Sequence, residues 1–202
     1  MSFLSAGYNL FSRLDVLMLS IWVSYDQIAI YNSAFQLSAM VAFLPYAIGR
    51  VVLPKISALE TGDIFKFVKK VTKPMFGLCL LLLTALPILP FIPSFVYGKE
   101  YSAAGIILQV FWVNFIVLLG ILVFEQAFLA LGKPKYSAIL KYIQIIIVII
   151  ANIILIPKFG YISAAINVLL VQIIYSCIIL YMYHREHKYY HKTVIGMISN
   201  IN

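Results

Sequence analysis

Six apolar stretches, at about 3–24, 27–49, 75–97, 103–131, 136–157 and 160–183, follow one another with only short charged breaks between them. About 20 apolar residues in a helix cross the roughly 30 Å hydrocarbon core of a bilayer, and each stretch reaches that length. In lipid no water satisfies an open sheet edge, so such stretches cross as helices. The pattern predicts an all-α polytopic membrane protein, with a six-helix transmembrane bundle over 1–183 and a basic tail over 184–202. Composition agrees, since 63% of the 202 residues are hydrophobic and 11% charged, with a mean hydropathy of +1.00. Soluble domains run near 45–50% apolar and about 25% charged, so a soluble domain is excluded, and so is a disordered tail. Cys79 and Cys177 both lie within apolar stretches and suggest small buried or lipid-facing residues rather than a disulfide scaffold. The length holds about six spans, enough for one half of a two-lobed transporter.

Fifteen Lys and Arg stand against seven Asp and Glu, a net charge of +8. Their positions speak for topology rather than nucleic acid, because they fall between spans and no basic run is interleaved with stacking aromatics. Arg50, Lys55, Lys66, Lys69, Lys70, Lys73, Lys133, Lys135, Lys141, Arg185, Lys188 and Lys192 lie on one side of the predicted bundle, and Lys99 and Lys158 on the other. The positive-inside rule then puts both termini in the cytoplasm. No Lys or Arg precedes the first apolar run, and Arg13 and Asp15 interrupt it, so it reads as a retained helix and not a secretory signal.

Between the second and third stretches, Ile64, Phe67, Val68 and Val71 repeat at i, i+3, i+4, i+7, with Lys66, Lys69, Lys70 and Lys73 at the same spacing on the opposite face. This predicts an interfacial amphipathic helix over about 61–73, started by a Thr61 or Asp63 cap and anchored among anionic headgroups. Pro87, Pro90 and Pro93 predict a kink or unwinding of the third stretch before Tyr97 and Gly98. Pro157 and Gly160 predict a break with hardly any loop between the last two spans.

Ionisable groups at membrane depth mark partners or water-filled pathways. Arg13 and Asp15 sit near the middle of the first stretch and point roughly 160° apart at about 100° per residue, so each needs its own partner. Glu125 lies eight residues before Lys133, about 12 Å inside the boundary at 1.5 Å per residue. It shares a helix face with Asn114. Asn32 and Gln36 form an i, i+4 pair, and Lys141, Gln144 and Asn152 fall in one narrow arc, an arrangement suited to polar pairing between helices. No phosphate loop, His-Glu-x-x-His or nucleophile elbow occurs, and the chain does not read as an enzyme. His184, His187 and His191 share a face beside Tyr189 and Tyr190, which reads as an interfacial belt rather than a metal site.

Four stretches together resemble a known family. They are Arg13-Leu-Asp15-Val-Leu-Met with Ile30-Tyr31-Asn32-Ser33-Ala34; Phe43-Leu-Pro45 with Val52-Leu-Pro54-Lys55-Ile56-Ser57; Tyr97-Gly98-Lys99-Glu100-Tyr101; and Asn152-Ile-Ile-Leu-Ile-Pro157-Lys-Phe-Gly160-Tyr-Ile-Ser163-Ala164-Ala165. In this order they are similar to the C-terminal half of bacterial polysaccharide flippases, in the superfamily that includes multidrug and toxin extruders and the lipid II flippase. Ala29 and Ser163 stand where that family often has Gly. The resemblance covers about 3–183 and implies helices seven to twelve of a larger protein that also has an N-terminal flippase lobe, so the chain reads as a fragment, a truncated gene product or one half of a split transporter. It implies alternating access in the bacterial inner membrane, moving a polyprenyl-pyrophosphate-linked oligosaccharide outward for surface polysaccharide synthesis, with a coupling ion and no cofactor. A pyrophosphate calls for cationic donors in a polar cavity, so Arg13, and after it Lys141 and Arg50, are the substrate-binding candidates. Asp15 and Glu125 are the candidates for ion coupling. Alternatives are a small-molecule antiporter of the same superfamily, a non-transporting assembly partner, or a membrane-bound glycan polymerase or ligase. The last needs large outer loops, whereas those predicted here are short.

Overall fold

A computed structural model describes residues 14–199 as seven α-helices and two short 3-10 turns, without a strand among them. The helices are α1 (Leu14–Trp22), α2 (Tyr25–Ser57), α3 (Thr61–Leu83), α4 (Ile92–Tyr97), α5 (Ala104–Ala130), α6 (Pro134–Phe159) and α7 (Tyr161–Ser199). Among the described residues four are long and apolar enough to cross a membrane: α2, α5, α6 and the Tyr161–Tyr190 part of α7. The chain is thus a multi-pass membrane protein. Of the first predicted span only the part from Leu14 lies within the described residues.

The third predicted span unwinds over its prolines, as their spacing led us to expect, and it does so from Leu83 onward. No single helix covers 75–97, since α3 ends at Leu83 and the chain continues through turns, a 3-10 turn at Leu89–Phe91 and the short α4. The cause is the proline triplet, which removes amide donors at every third residue. Helix ends leave carbonyls unpaired, and lipid offers them no water. Here α5 adds side-chain donors: Trp112 Nε1 donates at 2.8 Å to the Leu82 carbonyl, which also takes a backbone N–H, and Gln109 Nε2 donates to the Leu86 carbonyl at 2.9 Å. Gly105 of α5 lets this segment approach, because a Cβ there would stand 2.6 Å from the Pro90 carbonyl oxygen.

The amphipathic stretch and the start of the third span form one helix, α3, which runs through Pro74. Neither Thr61 nor Asp63 caps it; Glu60 occupies the N-cap without a side-chain bond, and the Asp63 carboxylate is taken by Lys66 Nζ at 2.8 Å. At the other end of the chain, 184–199 continue α7 as helix.

The most apolar helix, α5, is buried or half-buried along nearly its whole length, with only Ile106 and Leu129 exposed, as suits a helix without a polar face. It packs on α2, α3, α7 and the Leu89–Phe91 turn. One core lies around its first half, with Leu19, Tyr31, Leu89 and Phe111, and a second around its later half, with Ile56, Phe65, Val68 and Tyr183. Lipid tails give apolar helices no reason to associate, so close packing must hold them. Small side chains allow it: Ala34, Ala104, Ala127, Ala164 and Ala165 are completely buried. Of α6, by contrast, only Asn152 and Ile156 are buried. Its isoleucines at 139, 143, 146, 150 and 153 are exposed and suit acyl chains.

Gly160, at φ +67°, is the one residue between α6 and α7. The expected break therefore falls at the glycine, and Pro157 stays inside α6.

Candidate functional site

Folding back at Gly160 lays the polar arc of α6 along α7, and the two helices pair through polar side chains over most of their length. Nearest the turn, Asn167 Nδ2 donates to Asn152 Oδ1 at 2.7 Å and to the Val148 carbonyl at 3.1 Å. Further along, Gln144 Nε2 donates to Gln172 Oε1 at 2.8 Å, and within α7 Ser176 Oγ donates back to the Gln172 carbonyl at 2.7 Å. The far end carries a Lys133–Glu186 ion pair at 2.6 Å. Gln144 and Asn152 thus serve as interhelical polar contacts.

The charged cluster of this seam joins three helices. Lys141 Nζ of α6 lies 3.1 Å from Glu125 Oε1 of α5 and 4.1 Å from the ring centroid of Tyr175 on α7. Tyr175 donates its hydroxyl to the same Glu125 oxygen at 2.5 Å. The carboxylate is mostly shielded, its side chain 14% exposed, while the Lys141 side chain remains 41% exposed. Glu125 therefore has an anchored charge with two donors, and Lys141 has a charge that an incoming anion can still reach.

A second polar contact ties α1 to α2. Tyr31, fully buried, donates its hydroxyl to Asp15 Oδ2. This joins two parts of one motif, since Asp15 belongs to its first stretch and Tyr31 to its second. Arg13 lies outside the described residues. Arg50 is exposed on α2, Asn32 is half-buried and Gln36 exposed. Of the five candidates, Lys141 and Glu125 are brought into direct contact.

Four buried amides keep an unpartnered atom among the described residues: Asn114 Oδ1, Gln126 Oε1, Asn152 Nδ2 and Gln172 Nε2. Unsatisfied buried amides are uncommon and suit sites completed by water or a polar ligand. Tyr31, Asn167, Gln172 and Tyr175 were not singled out as partners from the sequence. For the α7 residues one signal existed. Asn152 stands eight residues before Gly160 and Asn167 seven after it, so a hairpin folded at that glycine sets them opposite each other.

The chain is similar to a protein of Haloferax volcanii named as a flippase, AglR, at 33% identity over 79% of this chain and 35% of the relative. A second protein of that organism, named as a low-salt glycan biosynthesis flippase, is 23% identical over 80% of this chain and 35% of its own length. A protein of Shigella flexneri named as an O-antigen transporter is 24% identical over 79% of this chain and 39% of its own. The chain is polysaccharide-flippase-like, and its relatives include archaeal as well as bacterial proteins. It spans a little over a third of the length of these relatives. No family model matches the sequence, and no solved structure matches it significantly.

Proposed function

We propose that the chain forms the C-terminal lobe of a two-lobed flippase, which carries a polyprenyl-pyrophosphate-linked oligosaccharide across a prokaryotic cytoplasmic membrane by alternating access. The relatives named as a flippase, a low-salt glycan biosynthesis flippase and an O-antigen transporter support the substrate class. The observation that carries the reading is the Glu125–Lys141–Tyr175 cluster, a charged centre shared by three helices of the bundle. An ionisable group at such depth is expensive even when paired, and its presence there points to a transport pathway.

In this reading Lys141 has two anionic partners, Glu125 and the substrate pyrophosphate. While Glu125 is ionised it holds Lys141. Protonation of Glu125 withdraws that partner, and the ammonium is left to bind phosphate, so proton uptake and substrate binding favour the same state. Arg13 supplies a planar fork for the second phosphate, and Asp15, oriented by Tyr31, is the other coupling carboxylate. Rocking against an N-terminal lobe exposes this surface to each side in turn.

The test is reconstitution of the chain with its N-terminal lobe in proteoliposomes carrying a fluorescent polyprenyl-pyrophosphate oligosaccharide, with translocation read by glycosidase access. Glu125→Gln is expected to abolish the dependence of the rate on a pH gradient. Lys141→Met is expected to raise the substrate concentration needed for half-maximal rate. Undiminished translocation by an Arg13→Ala/Lys141→Met variant would overturn the headgroup assignment, and movement of small cations in place of the lipid-linked glycan would favour the antiporter.

A further inference from the structure

Away from the polar seam, a groove of about 570 Å³ opens between α3 and the outer part of α7, floored by Phe65, Val68, Phe124 and Tyr183. Its rim is basic, with Lys69 and Lys73 on one side and His184 and His187 on the other. We propose that this groove is a binding site for one anionic phospholipid, taken from the leaflet on the basic side of the lobe. An acyl chain lies along the aromatic floor, and the phosphate sits between the two lysines and the two histidines.

Charge complementarity selects this occupant. None of the lining residues is acidic. The nearby acids are engaged elsewhere, Asp63 with Lys66 at 2.8 Å and Glu186 with Lys133 at 2.6 Å. The Asp63 contact also raises the pKa of Lys66, first through its hydrogen bond and then through its charge, and leaves Lys69 and Lys73 as the lysines that face the groove. These two stand one turn apart, about 6 Å along the axis, and imidazole offers an N–H in either protonation state. A lysine at an anionic leaflet surface favours binding about fivefold.

The floor is preformed. Phe124 packs on Tyr183 at 4.9 Å between ring centroids, Phe65 on Tyr183 at 5.7 Å, and Phe65 on His187 at 4.9 Å. Its volume falls within the roughly 300–1,000 Å³ usual for small-molecule sites. Phe76, one turn below Lys73 and 65% exposed, continues the apolar surface toward the membrane interior. A basic end that passes into an apolar trough has the head-to-tail polarity of a phospholipid. This proposal requires a membrane-embedded chain and is independent of the transport reading.

The test places the chain in phosphatidylcholine nanodiscs containing trace phosphatidylglycerol or phosphatidylcholine with a photoactivatable acyl chain, and maps crosslinks by mass spectrometry. Phosphatidylglycerol is expected to label α3 and α7 peptides around Phe76 and Tyr183 at least about fivefold more than phosphatidylcholine. Lys69→Gln/Lys73→Gln should remove most of that preference, Lys69→Arg/Lys73→Arg should keep it, and Lys70→Gln, on the same helix but off the groove, should leave it unchanged. Equal labelling by the two lipids would overturn the site, as would an equal effect of Lys70→Gln, which signals diffuse surface attraction. Absence of lipid label from the groove, as when a protein segment fills it, overturns it too.

Discussion

At the scale of single residues, the cluster of Glu125, Lys141 and Tyr175 shows how a membrane interior holds charge. Glu125 takes a cation and a hydroxyl from two different helices, so neither helix alone stabilises it. A thermal-unfolding double-mutant cycle between Glu125→Gln and Lys141→Gln in detergent is expected to give a coupling of about 1 kcal/mol, within the range of adjacent polar pairs. Replacing Glu125 alone should cost more than replacing both, because it strands the lysine. Tyr31→Phe removes the Asp15 donor and should cost about 1 kcal/mol by the same measurement. The arc of Lys141, Gln144 and Asn152 was legible because helical periodicity fixes which residues share a face. Their partners were not. Asn167, Gln172 and Tyr175 sit in a helix with apolar residues on every side, and the rotation that turns them toward α6 is set by tertiary packing.

At the scale of elements, prolines and glycines divide the labour. The Pro87, Pro90 and Pro93 triplet announced an irregular end to the third span, but the donors that repair it, Trp112 and Gln109, lie 20 to 30 residues further on, at separations no local pattern reports. Gly105 is the point of closest approach in this arrangement. Gly105→Val should cost roughly 1–3 kcal/mol through overpacking against Pro90, seen as a lowered unfolding midpoint. A matching Gly77→Val, at a glycine with open space around its Cβ position, should leave the midpoint unchanged or raise it slightly, since valine is the better helix former. The boundary near Pro74 was misplaced for a related reason: membrane helices tolerate proline where neighbouring helices re-satisfy the freed groups. The 184–199 segment, read as a tail from its charges, continues α7 and holds no proline to interrupt it.

At the scale of the whole molecule, the alternation of charge predicts an orientation with its own measurement. In a Cys79→Ala/Cys177→Ala background, Lys192→Cys should react with a membrane-impermeant maleimide only in inside-out vesicles, and Lys99→Cys only in right-side-out cells. The reverse pattern would invert the topology. The fold class followed from the length of the apolar stretches, since a bilayer of fixed thickness leaves few alternatives. The order of packing did not follow, because apolar helices in lipid are sorted by small residues and polar contacts rather than by hydrophobicity. The link at Gly160 has a mechanical consequence. A one-residue joint leaves α6 and α7 no slack to part at that end, so their ladder of amides moves as a single rigid body. A movement that carries Glu125 of α5 away from Lys141 of that body is then taken up at the α5–α6 connection, residues 131–133, and not at the tight turn.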